Sequence, residues 1–211
     1  MILHGASISP FVRKVVVFAH EKGLALDCRP MGIGPKPPEF LAISPFGKIP
    51  AFEDGDFALA DSTAICHYLE AKSPETKLIP TEARALGRTI WFEEIADTII
   101  VGQLGPIFSQ RVVAPLVGRP QDLALADKLE AEALPPIAAY LESQISECGF
   151  LVEDRLTLAD IAVASPLANM VYANVDLTAY PKLVAWMAAI HARPSFVAAL
   201  AMDAALMKGR G

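Results

Sequence analysis

The apolar pattern changes period near residue 80, and that change limits the folds open to this chain. Before it, short apolar runs alternate with helical stretches. Residues 1–3 open as a strand, and residues 10–21 carry Phe11, Val15, Phe18 and Ala19 at helical spacing, closing at Gly23, a residue suited to the position after a helix. Residues 24–29 predict a second strand ending at Pro30, and the Gly- and Pro-rich stretch 31–38 predicts a loop. Residues 49–52 and 56–60 flank Glu53-Asp54-Gly55, a hairpin signal, and residues 62–71 predict a helix with Ala64, Ile65, Tyr68 and Leu69 on one stripe. After a linker over 72–80 only helical periods remain, at 83–109, 122–147, 158–173 and 180–192, with a short tail helix at 194–202. Pro135-Pro136 falls inside the second of these and predicts a kink or break there. The expectation is an α/β domain over residues 1–76 and an all-α domain over residues 83–211.

Strand-helix-strand, hairpin, helix is the element order of a thioredoxin-like βαβ-ββα unit, an order shared by many small α/β domains. The composition suits a buried core, with 53% apolar and 20% charged residues. A net charge of −6, with no basic run longer than Arg13-Lys14, argues against a nucleic-acid surface. Cys28, Cys66 and Cys148 include no CxxC pair, and His4, His20, His67 and His191 include no HxxxH pair, so neither a disulfide scaffold nor a metal site is expected. Arg13 and Lys14 interrupt the place where a signal peptide would continue its apolar run. The apolar stretch 156–175 is broken by Asp160, Pro166 and Asn169, so no membrane span is expected and a cytoplasmic location is.

Four segments carry chemical information. In Ser7-Ile8-Ser9-Pro10-Phe11, serine followed by proline marks a helix start, and the same geometry offers an anion a hydroxyl and unpaired N–H groups. In Ser44-Pro45-Phe46-Gly47-Lys48-Ile49-Pro50, a cis Pro50 at a strand start would leave the backbone of Ile49 open to an extended peptide-like ligand; a trans proline at a strand start is the alternative. In Asp61-Ser62-Thr63, an acid beside a hydroxyl can cap a helix or hold an amino-acid head group, the carboxylate taking the ammonium. In Leu156-Thr157-Leu158-Ala159-Asp160-Ile161, Thr157 and Asp160 form a capping-box pattern that Leu156 and Ile161 can staple, a structural feature.

Taken in order, these segments resemble the successive signatures of the cytosolic glutathione transferases, and within them a serine-type subgroup that is bacterial and tau- or zeta-like. The resemblance covers nearly the whole chain. It implies glutathione as co-substrate, no metal, a small hydrophobic electrophile as second substrate, and a homodimer without nucleic-acid or membrane partners. It places Ser9 as the hydroxyl that activates the thiol, with Ser7 close enough to compete. It implies Lys48 and Lys36 facing the glycyl carboxylate, Ile49 before a cis Pro50 pairing with the cysteinyl backbone, and Asp61 and Ser62 holding the γ-glutamyl head group. Phe11, Gln103, Phe108 and the tail are expected near the electrophile. The catalytic tyrosine of other classes is absent from Ile2-Leu3-His4-Gly5, and no cysteine stands at position 9. Dehalogenation, isomerisation or peroxide reduction by the same thiolate, and a non-catalytic interaction protein on the same scaffold, are the alternatives.

Overall fold

A computed structural model of the 211-residue chain describes residues 1–32 and 34–208; residue 33 of the expected loop and residues 209–211 lie outside the described residues. The chain forms two compact units. One comprises Met1–Ile79 together with the last helix from Pro194, and the other comprises Pro80–Arg193.

The first unit opens with β1 (Ile2–His4), α1 (Pro10–Glu21), β2 (Asp27–Arg29) and α2 (Pro38–Ile43). It continues with β3 (Ala51–Asp54), β4 (Phe57–Ala60) and α3 (Ser62–Lys72). The four strands form one mixed sheet in the order β2-β1-β3-β4, with β1 parallel to β2 and the other neighbours antiparallel. This is a thioredoxin-like domain. Its core gathers Leu3, Val15, Phe18, Phe40, Phe52, Ile65 and Leu69, all buried, as the helical and strand spacings require. Proline at the first helical position starts α1, and Gly23 at φ 70° stops it, with Leu24 N donating back to Ala19 O at 2.9 Å. The short helix α2 has no counterpart in the sequence reading, because Pro37-Pro38 reads as loop while also being a permitted helix start.

The linker is tied to this unit. Glu70 accepts from Leu78 N and Ile79 N, both at 3.2 Å, and from Lys22 Nζ at 2.7 Å.

The second unit is all helical. It begins with α4, continuous from Ala83 to Leu116, and continues with α5 (Leu123–Glu132), α6 (Leu134–Gln144), α7 (Leu158–Tyr172) and α8 (Pro181–His191). Two π-helical segments, Ile95–Ile100 and Ser109–Val113, and Pro106 lie within α4, so it runs past the end expected at residue 109. By length and composition alone α4 could cross a bilayer, its most apolar 18-residue stretch having a mean hydropathy of 1.2. One such helix is weak evidence for a span, because the core helix of a globular protein passes the same test. Between α5 and α6 the chain breaks at Ala133, and Pro135 and Pro136 occupy the first turn of α6, where no intrahelical N–H is required.

The helix α7 is buried along nearly its whole length. Its capping box forms as the spacing predicts, with Thr157 N donating to Asp160 Oδ2 at 3.0 Å. Asp160 also accepts from Leu151 N at 2.9 Å and Trp186 Nε1 at 3.4 Å, and its burial pushes its carboxyl above the ordinary range against those bonds. The final helix, α9 (Pro194–Lys208), groups with the first unit and packs on α1.

Candidate active site

The sheet register collects the expected site residues at one end of the first unit. His4 pairs with Ala51, and Ala51 pairs with Ala60. The residues that follow His4, precede Ala51 and follow Ala60 therefore leave the sheet side by side. These are Gly5, Pro50 and Asp61. The loop Gly5–Ile8 then leads straight into α1.

Ser9 is the residue before α1, half-buried, at φ −69° and ψ 128°. Its side chain caps no helical N–H, and no acidic residue occupies the first turn of α1. The positive end of the helix dipole is thus left without a negative partner from its own helix, and a hydroxyl stands beside it. Ser7 is 8% exposed, so the two serines differ in access. Ser9 N donates to Ala6 O at 3.0 Å, and Ser9 O accepts from Arg13 N at 2.9 Å, which fixes the backbone on both sides of the hydroxyl.

The bond between Ile49 and Pro50 is cis. The β1–β3 ladder ends at Ala51, so the backbone of Ile49 lies beyond it. The segment before Ile49 folds on Ser44, which is 1% exposed. Gly47 N donates to Ser44 O at 2.9 Å, and Ser44 Oγ donates to Lys48 O at 2.8 Å. Gly47 sits at φ 65°, a left-handed conformation that glycine takes without penalty. Lys48 is exposed, and Lys36 is half-buried with its ammonium over the Phe40 ring and bonded to Gly32 O. The stem of Lys36 lies 3.6 Å from where a Gly47 β-carbon would stand, so the two lysines flank one turn.

Asp61 caps α3, accepting from Ala64 N at 3.0 Å, and Ser62 beside it is 2% exposed. The structural role foreseen for Asp61 is therefore present. Its φ of 90° is unusual for a residue with a side chain and costs roughly 1–3 kcal/mol, a strain that concentrates at functional positions. Lys14 Nζ donates to Thr63 Oγ1 at 3.3 Å and ties α1 to the first turn of α3.

Two features of this region were not singled out in the sequence. Arg13 and Lys14 are both essentially buried, and the visible signal was a charged pair set inside the apolar run Val12 to Val17. His4 also joins the site end of β1, with Nε2 2.6 Å from Glu53 Oε1. Among the described residues no group of three or more His, Cys, Asp or Glu side chains could hold a metal. Phe108 is buried and Gln103 exposed in the helical unit, while Phe11 is half-buried in the first.

A thioredoxin-like sheet with this loop cluster, followed by an all-helical unit, defines the protein class. Residues 3–77 match the family model for the glutathione S-transferase N-terminal domain, and residues 111–202 match that for the C-terminal domain. Glutathione S-transferase 3 of Zea mays is 35% identical, with 92% of this chain and 90% of that protein aligned. The crystal structure of glutathione transferase F7 from Populus trichocarpa superposes with a TM-score of 0.85 at 28% identity, covering 96% of this chain and 98% of that one. Glutathione S-transferase I from maize, in complex with an atrazine glutathione conjugate, gives a TM-score of 0.84 at 29% identity over 96% and 97% of the chains. The chain belongs to the glutathione S-transferase family. The expected subgroup is corrected: the relatives from Zea mays and Populus trichocarpa are plant phi-class proteins, not bacterial tau- or zeta-like ones.

Proposed function

We propose that this chain is a glutathione S-transferase that binds glutathione at the site end of its sheet and ionises the thiol at Ser9. The observation that carries the proposal is the pairing of an uncommitted Ser9 hydroxyl with a helix start that has no acid in its first turn. The relative solved with a glutathione conjugate supports the same substrate. A thiol of pKa about 8.5 is only a few per cent ionised at pH 7, and lowering that value by about two units takes roughly 2.7 kcal/mol. One hydrogen bond to a charged group contributes about 1.5–3 kcal/mol, and a helix terminus about 0.3–1 kcal/mol. The two together supply the shift without a general base. The thiolate then attacks a hydrophobic electrophile.

In this reading the glutathione-binding domain is residues 1–76 and the helical domain residues 83–211, with α9 grouped beside the first unit. Ile49 N–H and C=O pair with the cysteinyl backbone. Lys48 and Lys36 face the glycyl carboxylate, although the ammonium of Lys36 already has an acceptor in Gly32 O. The second oxygen of Asp61 takes the γ-glutamyl ammonium while the first stays on Ala64 N, and Ser62 binds the γ-glutamyl carboxylate. A cytoplasmic homodimer belongs to the same proposal. Phe46, 90% exposed, and Trp91, 56% exposed, are the large side chains that favour an apolar self-contact.

Steady-state kinetics of Ser9→Ala with glutathione and a panel of electrophiles and peroxides test the mechanism. Loss of one charge-assisted bond predicts a fall of about 10- to 150-fold in kcat/KM, with KM for glutathione changed by less than about threefold. Equal turnover in the two proteins would reject Ser9, and product analysis across the panel identifies the reaction.

A further inference from the structure

The tail of the chain reaches the candidate active site through one side chain. Arg13 lies one helical turn after Ser9 on α1. Its guanidinium donates to Asp203 Oδ2 of α9 through Nη2 at 2.7 Å and through Nε at 3.2 Å. Both side chains are 0% exposed. The same Nη2 also points to Ile8 O at 3.5 Å, the carbonyl immediately before Ser9. The backbone N–H of Arg13 meanwhile donates to Ser9 O at 2.9 Å. One residue therefore holds the peptide groups on both sides of Ser9, and a carboxylate 190 residues away in sequence holds that residue.

Full burial of both ions is informative. A buried ion pair adds little net stability over an apolar pair of the same volume, but it fixes geometry, and a planar guanidinium fixes more of it than an ammonium. A hydroxyl that must meet a sulfur anion at hydrogen-bond distance is where such geometry matters, because small displacements at a reacting centre cost large factors in rate.

Resting on the assignment of Ser9, we propose that Arg13, clamped by Asp203, is a positioning residue that sets the peptide flanks of Ser9 and so the thiol ionisation of bound glutathione. The final helix thereby forms part of the thiol-activating apparatus without contacting the thiol.

The test reads the thiol pKa of bound glutathione, from the ultraviolet absorbance of the thiolate and from the pH profile of kcat/KM. Two variants keep the net charge of the pair unchanged, so that a shift reports position rather than charge. Arg13→Lys keeps the ion pair and loses the fork, whereas Arg13→Met/Asp203→Leu replaces the pair by apolar side chains. The expected result in each is a midpoint raised by about one unit, hence about tenfold less thiolate below the midpoint, with KM for glutathione within about twofold. Placed in a Ser9→Ala background, Arg13→Lys is expected to add no further shift, because the two residues act as one unit. A wild-type midpoint in folded Arg13→Lys, or a full additional shift in the Ser9→Ala background, would overturn the proposal. If the apolar double variant does not fold, Arg13→Lys alone decides. An unchanged midpoint in Ser9→Ala itself would instead remove the Ser9 assignment, so the two failures are distinguishable.

Discussion

Gly5 and Val12 share a space that holds no further atom: a β-carbon on Gly5 would stand 2.4 Å from Val12 Cγ2 and 3.4 Å from the β-carbon of Ile49. The end of β1, the first turn of α1 and the residue before Pro50 meet there. Gly5→Ala is expected to cost about 1–3 kcal/mol by overpacking and to lower turnover, because relief of the clash moves the start of α1. Adding Val12→Ala should restore the part that comes from the clash and leave the strain of an alanine at φ 157°. Urea unfolding and steady-state kinetics on the single and double variants check this; a destabilisation equal in both would show that the clash is not with Val12.

Asp61 combines a helix cap with a strained backbone. Asp61→Asn keeps an acceptor for Ala64 N and should leave stability within about 0.5 kcal/mol while raising KM for glutathione severalfold. Asp61→Ala should lose the cap as well, at about 1 kcal/mol. Asp61→Gly relieves the φ of 90° and is expected to be more stable than Asp61→Ala. Thermal unfolding beside glutathione titration separates the two roles.

Ser44 anchors the turn that presents Lys48 and Ile49. Ser44→Ala removes the 2.8 Å bond to Lys48 O and is expected to cost about 1 kcal/mol. The loosened turn should raise KM for glutathione more than it lowers kcat. A purely structural role would reduce stability and leave KM at the wild-type value.

Asp54 receives hydrogen bonds from Lys72 Nζ and, at 2.8 Å, from Tyr68 OH, and these hold its carboxyl below the usual carboxylate range. A carboxyl lowered in the folded state binds its proton less tightly there than in the unfolded chain. Its contribution is therefore present above the ordinary value near pH 4 and is lost as the pH falls through the lowered folded value. Carboxyl chemical shifts followed by NMR should show Asp54 titrating below a typical aspartate, and Lys72→Met should move it upward. An unmoved titration in that variant would contradict the assignment.

Much of the fold was legible where the signal is local. The helix α1 begins and ends where Ser9-Pro10 and Gly23 mark its limits, and the capping box of Thr157 and Asp160 forms as the spacing predicts. These features depend on the backbone chemistry of a few consecutive residues. The misses depend on other things. A short helix such as α2, opening on prolines, carries too few residues to show a period. The run of α4 past its expected end at residue 109 goes through a π turn that sequence periodicity does not display.

What the sequence by itself determined is the class of each half of the chain and where its helix starts, caps and turns fall, because periodicity, caps and turn residues act over a few positions. The tertiary structure decided which of those residues share a place. The register of His4, Ala51 and Ala60 put Gly5, Pro50 and Asp61 at one end of the sheet, and the fold joined Arg13 to Asp203 out of water. Neither can be read along the chain, since strand pairing and ion-pair burial are long-range contacts whose partners are selected by packing rather than by neighbouring residues.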